Sequence, residues 1–128
     1  MPANMNLHNT LGIDIGSTTV KVAFLDEHKH ILFSDYERHF ANIQETLARL
    51  LSRAKEKLGE MIVHPSITGS GGLTLSNHLE VPFTQEVVAV ATALQDYAPQ
   101  TDVAIELGGE DAKIIYFTGG IDQRMNAI

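Results

Sequence analysis

A short phrase recurs in this chain 92 positions apart: Ile13-Asp14-Ile15-Gly16 with Lys21, and Ile105-Glu106-Leu107-Gly108 with Lys113. In each copy an acid, an aliphatic residue, a glycine and a lysine keep the same frame. An aliphatic run precedes each glycine and a second apolar run follows it, the pattern of a β-hairpin whose tip needs an open backbone. Related hairpins in a duplicated unit would bring Asp14 and Glu106 to matching strand ends and into one cleft. A polyphosphate is the ligand that such a pair of tips grips. The glycines let backbone N–H groups approach its oxygens, and each carboxylate can hold Mg²⁺ through water or orient an attacking water. Gly16-Ser17-Thr18-Thr19 adds three consecutive hydroxyls able to donate to phosphate. A hairpin with a purely structural role favours Asn-Gly or Asp-Gly at this place.

Composition narrows the classes. The chain has 128 residues, 44% hydrophobic and 20% charged, enough for one modest core but not for two complete lobes. Its net charge of -7 and its lack of a Lys/Arg cluster argue against nucleic acid, which is bound chiefly through basic side chains. An anion site here is therefore built locally, from backbone amides. With no cysteine there is neither a disulfide framework nor a thiolate metal site. The longest apolar stretch, Val87 to Leu94, is far short of a bilayer span, and the polar start of the chain has no basic leader, so a soluble, cytoplasmic protein is expected. Of the six histidines only His28 and His30 are closely spaced, and all six read as solvated turn residues.

Along the chain, residues 1–10 read as a flexible N-terminus. Leu11 to Ile15, Val20 to Leu25 and Ile31 to Tyr36 form a three-stranded meander. A helix follows from Ile43 to Leu58, with Asn42 as N-cap three residues before Glu45, an apolar face of Ile43, Leu47, Leu50, Leu51, Ala54 and Leu58, and Gly59 as its stop. Pro65 to Thr68 is a short strand entering the turn Gly69-Ser70-Gly71-Gly72, and Leu73 to Leu79 a short helix. Gln85 to Tyr97 is apolar on most sides and predicts a helix buried between layers. Pro99 to Asp102 is the best linker. Beyond it come Val103 to Leu107, Ala112 to Phe117, a Thr118-Gly119-Gly120 turn and Ile121 to Ile128. Residues 11–99 then form one lobe and 100–128 the start of its twin. Two familiar phosphate motifs are excluded by spacing. Lys21 is followed by Val22 rather than Ser or Thr, so this is no P-loop, and the Gly69 turn lacks the third glycine of a dinucleotide fingerprint.

With these residues in view, the chain resembles the superfamily of actin, sugar kinases and heat-shock chaperone ATPases, in which duplicated lobes close on ATP. Within it, Gly12 to Lys21 and Glu106-Leu107-Gly108-Gly109-Glu110-Asp111-Ala112-Lys113 look most like the ATPase activators (component A) of 2-hydroxyacyl-CoA dehydratases and benzoyl-CoA reductases. The resemblance runs from about Leu11 to Met125-Asn126. It implies an α/β fold of the ribonuclease H-like, actin-type ATPase lobe, with a mixed sheet opening on the meander and helices packed on it. It makes Gly16, Ser17, Thr18, Thr19 and Lys21 the first phosphate loop, and Gly108, Gly109, Glu110, Asp111 and Lys113 the second. Asp14 and Glu106 become the catalytic, Mg²⁺-facing acids. The family's second loop usually reads Asp-aliphatic-Gly-Gly-Gln-Asp, whereas here Glu stands at 106 and at 110.

The function implied is that of an activator which hydrolyses ATP to drive a low-potential electron from a [4Fe-4S] cluster to an acyl-CoA dehydratase or reductase partner. In the family the cluster is shared across a homodimer, and its first cysteine is expected just beyond Met125-Asn126. The adenosine-binding motif is expected further on, so the fragment itself should bind nucleotide poorly. It is also expected to self-associate through its C-terminal hairpin. A small-molecule kinase of the same superfamily, acting on a sugar hydroxyl, is the alternative, and a non-catalytic nucleotide-binding regulatory module is a third.

Overall fold

Residues 8–108, 112–118 and 122–127 are described by the structure, a computed structural model. It divides into two compact units, residues 1–83 and 84–128. In the first, β1 (Thr10–Ile15), β2 (Thr19–Leu25) and β3 (Ile31–Arg38) form the antiparallel meander expected from the sequence. Helix α1 (Ile43–Leu58) then carries the chain to β4 (His64–Thr68), which lies parallel to β1 and completes a sheet of order β3-β2-β1-β4. Helix α2 (Gly72–Leu79) follows β4.

The period-two alternation in β1 and β2 decides which face is covered. Leu11, Ile13 and Ile15 of β1 and Val20, Val22 and Phe24 of β2 point to one side, where they meet Leu47, Leu50 and Ala54 of α1, Ile67 of β4 and Leu75 of α2. Ile43, Leu51 and Leu58 close the margin of this core, so the whole predicted apolar face of α1 is used. The helix ends where expected, at Gly59, whose φ of +75° suits a residue without a Cβ.

Its start differs from the expectation. Asn42 makes no side-chain cap. Its carbonyl instead accepts from the Thr46 N–H at 3.1 Å and from the Thr46 hydroxyl at 2.8 Å, while its own N–H donates to the His39 carbonyl at 2.7 Å. The tight turn through Phe40 and Ala41, at φ +46° and +68°, sets the Asn42 backbone for these bonds in place of the capping geometry.

The second unit holds α3 (Glu86–Tyr97) and an antiparallel sheet of β5 (Val103–Leu107), β6 (Ala112–Thr118) and β7 (Asp122–Ala127), in the order β5-β6-β7. The turn at Pro99–Asp102 thus lies inside this unit. Helix α3 corrects a second expectation: none of its residues is fully buried and Val88 is 43% exposed. Its apolar residues run around the helix, and none of its faces is fully covered. None of the described helices is long and apolar enough to cross a membrane.

Candidate functional site

The two copies of the repeated phrase adopt the same pairing. In the first hairpin Asp14 lies directly opposite Lys21 and Ile15 opposite Val20; in the second Glu106 lies opposite Lys113 and Leu107 opposite Ala112. Acid and lysine are cross-strand partners on one face in both, and each acid stands one residue from its strand's end. Four residues, 16–19 and 108–111, separate the last paired positions of each hairpin. Gly109, Glu110 and Asp111 lie outside the described residues.

In the first unit the register extends the pair into a row. Tyr36, Lys21, Asp14 and Thr68 stand side by side across β3, β2, β1 and β4. They occupy the face away from α1, since their neighbours Ile13, Ile15, Val20 and Ile67 fill the core. Asp14 is half-buried and Lys21 exposed. The tip beside them is tight: the Gly16 N–H donates to the Thr19 carbonyl at 2.9 Å, leaving Ser17 and Thr18 at the turn. Ser17 is exposed, and Thr18 and Thr19 are half-buried.

Two features that the sequence did not mark hold this tip in place. One is the Gly69 turn after β4, where the Gly71 N–H donates to the Ile15 carbonyl at 2.9 Å. Gly69 has a φ of +100°, and a Cβ there would sit 2.3 Å from the Ile15 oxygen and 2.6 Å from Asp14 Oδ1. Only a glycine lets this backbone press against the catalytic candidate. The sequence showed a glycine-rich turn but not what it packs on.

The other is His39, which corrects the reading of all six histidines as solvated. It is 8% exposed. Its Nε2 lies 3.0 Å from the Gly16 carbonyl, its Nδ1 3.0 Å from the Ala41 N–H, and its own N–H donates to the Thr18 carbonyl at 2.9 Å. Nothing in the local sequence signals this, because the contact joins residues 23 apart.

In the second unit Lys113 is engaged. Its ammonium lies 2.8 Å from Glu86 Oε2, both groups well covered, at the first residue of α3. The lysine of the second loop therefore stands between strand partner Glu106 and helix residue Glu86. A carboxylate in the first turn of a helix is also favoured by the positive end of the helix dipole.

The site can bind an anion by its tip amides and hydroxyls and present a carboxylate beside it. Among the described residues, no group of three or more His, Cys, Asp or Glu is gathered as a metal cage. Mg²⁺ needs none, being held by one or two carboxylates together with water and substrate phosphates, so the donor set fits that ion.

No protein-family model matches this sequence, and neither does the sequence of a curated protein. Solved structures do. The activator of 2-hydroxyisocaproyl-CoA dehydratase from Clostridium difficile, with ADPNP bound, is 24% identical, with a TM-score of 0.75 over 93% of this chain and 46% of that one. Component A of (R)-2-hydroxyglutaryl-CoA dehydratase from Acidaminococcus fermentans is 25% identical, with a TM-score of 0.70 over 92% of this chain and 47% of that one. A ROK-family glucokinase from Streptomyces griseus, in complex with glucose and AMPPNP, is 18% identical, with a TM-score of 0.62 over 91% of this chain and 46% of that one. The chain thus spans less than half the length of each of these three proteins. The likeness and the mixed sheet together establish the fold: this chain has the α/β fold of the actin-type ATPases.

Proposed function

We propose that this chain is the nucleotide-binding part of an ATP-hydrolysing activator, which drives low-potential electron transfer from an iron-sulfur cluster to an acyl-CoA dehydratase or reductase. The observation that carries the reading is the identical acid–lysine register of the two hairpins. Likeness to two dehydratase activators, one holding an ATP analogue, supports it.

In this reading the amides and hydroxyls of Gly16, Ser17, Thr18 and Thr19 bind phosphate oxygens, and so do Gly108 to Lys113. Lys21 and Lys113 add positive charge. Asp14 and Glu106 orient the water that attacks the γ-phosphorus, whose bond to the bridging oxygen breaks as ADP leaves. Asp14 and Glu106 would hold Mg²⁺ through water, and the ion would supply charge neutralisation at the phosphates. The chain has no cysteine, so an iron-sulfur cluster takes its ligands from outside these residues. The parent is read as a cytoplasmic homodimer that docks on its dehydratase or reductase component.

The test is substitution in the full-length protein. Asp14→Ala or Glu106→Ala is expected to lower ATP turnover by orders of magnitude while leaving the unfolding midpoint in place, since each removes an anchor rather than a core group. Lys21→Ala should weaken nucleotide binding more mildly. Wild-type turnover in the Asp14 variant contradicts the assignment. A second reading, a small-molecule kinase, is favoured by the likeness to the glucokinase. It requires that ATP consumption depend on an added sugar and yield a phosphorylated one.

A further inference from the structure

We infer that His39 is a positioning residue for the first phosphate loop, setting which way the loop's amides point; this rests on reading the first hairpin as that loop. Both contacts of the imidazole have a fixed sense. The Gly16 carbonyl only accepts, so Nε2 carries the hydrogen and donates to it, and the Ala41 N–H only donates, so Nδ1 accepts. The ring is thereby held as the neutral Nε2–H tautomer in a largely dry place.

The consequence for the loop follows from peptide planarity. Within a trans peptide the C=O and the N–H point in opposite directions. The Gly16 carbonyl is drawn to the His39 ring, so the Ser17 N–H is turned away from it. The Thr18 carbonyl is drawn to the His39 backbone N–H, so the Thr19 N–H is turned away likewise. One residue thus fixes two of the loop's peptide planes and leaves the Ser17 N–H facing away from the ring, where an anion gains from an amide that needs no reorientation. Phe40 and Ala41, both at positive φ, hold the following backbone in a conformation that side chains resist, and it returns the Ala41 N–H to the ring.

Two variants separate positioning from packing. Gln places its amide Nε2 as many bonds from Cβ as the imidazole Nε2, so it can still donate to Gly16. Asn places its oxygen where Nδ1 stands, so it can still accept from Ala41 but cannot reach Gly16. We expect His39→Asn to keep the unfolding midpoint near wild type yet bind Mg²⁺-ATP roughly tenfold more weakly by calorimetry, the scale of one lost hydrogen bond. His39→Gln should restore affinity to within about threefold of wild type. Imidazole nitrogen shifts in the wild-type chain, read by NMR, should report the Nε2–H tautomer without any substitution.

Undiminished affinity in His39→Asn overturns the proposal, as does an Nδ1–H tautomer. Equal loss of affinity in both variants overturns it too, leaving His39 a packing residue. These affinities are read in the full-length protein; if its wild type binds no Mg²⁺-ATP at millimolar concentration, the phosphate-loop reading falls and this proposal with it.

Discussion

Gly69 is the residue whose replacement has the most predictable cost. Any side chain there meets both a positive φ and the Ile15 carbonyl, with Asp14 Oδ1 beside it. Gly69→Ala should destabilise the chain by about 2 kcal/mol or more, seen as a lower denaturant midpoint, because backbone strain of this kind costs on the order of 1–3 kcal/mol before the clash is counted. A variant as stable as wild type would show that the turn does not press on β1. At this scale the sequence was only partly readable. Asp14, Lys21, Glu106 and Lys113 were visible because acid and lysine recur at fixed spacing, and spacing within a hairpin sets who faces whom. His39, Gly69 and Glu86 were not, since their roles come from contacts across 23 residues for His39 and 27 for Glu86, or from a backbone approach that no local pattern records.

Helix α1 shows how far periodicity reaches at the scale of an element. Its span and buried stripe follow from the spacing of its apolar residues, and Leu50, fully buried at the centre of that stripe, is its main anchor. Leu50→Ala should cost about 2–5 kcal/mol by chemical denaturation, as expected of a large-to-small change in a packed core. The polar side of α1 was legible only as charged. In the structure it pairs specifically with β3: Arg53 Nε meets Asp35 Oδ2 at 2.7 Å, and Glu37 takes both Arg49 at 2.8 Å and Arg53 at 3.0 Å. A hydrogen bond from Arg53 holds the Asp35 carboxyl below its ordinary value of 3.8, and bonds from Arg49 and then Arg53 hold Glu37 below 4.5. Folded values below unfolded ones mean stability that is complete above those ordinary values and lost as pH falls through the lower, folded ones. Denaturant midpoints should therefore drop on acidification through the carboxylate range, and Arg53→Met should flatten that drop. An unchanged slope would mean that the pairs contribute nothing, as solvent-exposed pairs often do. The cap of α1 and the cover of α3 were misread for one reason: both depend on what the rest of the fold brings near.

For the whole molecule, the repeated phrase proved the most reliable signal, because the same seven-residue step from acid to lysine yields the same strand register in two places. What the repeat does not encode is how the second unit covers its apolar surface. Val103, Ile105 and Leu107 are 48%, 61% and 76% exposed on one face of β5, which pairs with β6 alone among the described strands. An exposed apolar edge strand templates association. The chain is expected to self-associate in light scattering, and Ile105→Glu to return it to a monomer; a monomeric wild type would refute this. The claim that both hairpins serve one nucleotide is tested most directly by titrating the isotope-labelled chain with ATP and paramagnetic Mn²⁺ in place of Mg²⁺, and following the broadening of backbone amide signals. The amides of residues 16–19 and of 108–113 should broaden together and first, whereas broadening confined to one hairpin, or centred on the His28 and His30 turn, would contradict a shared site.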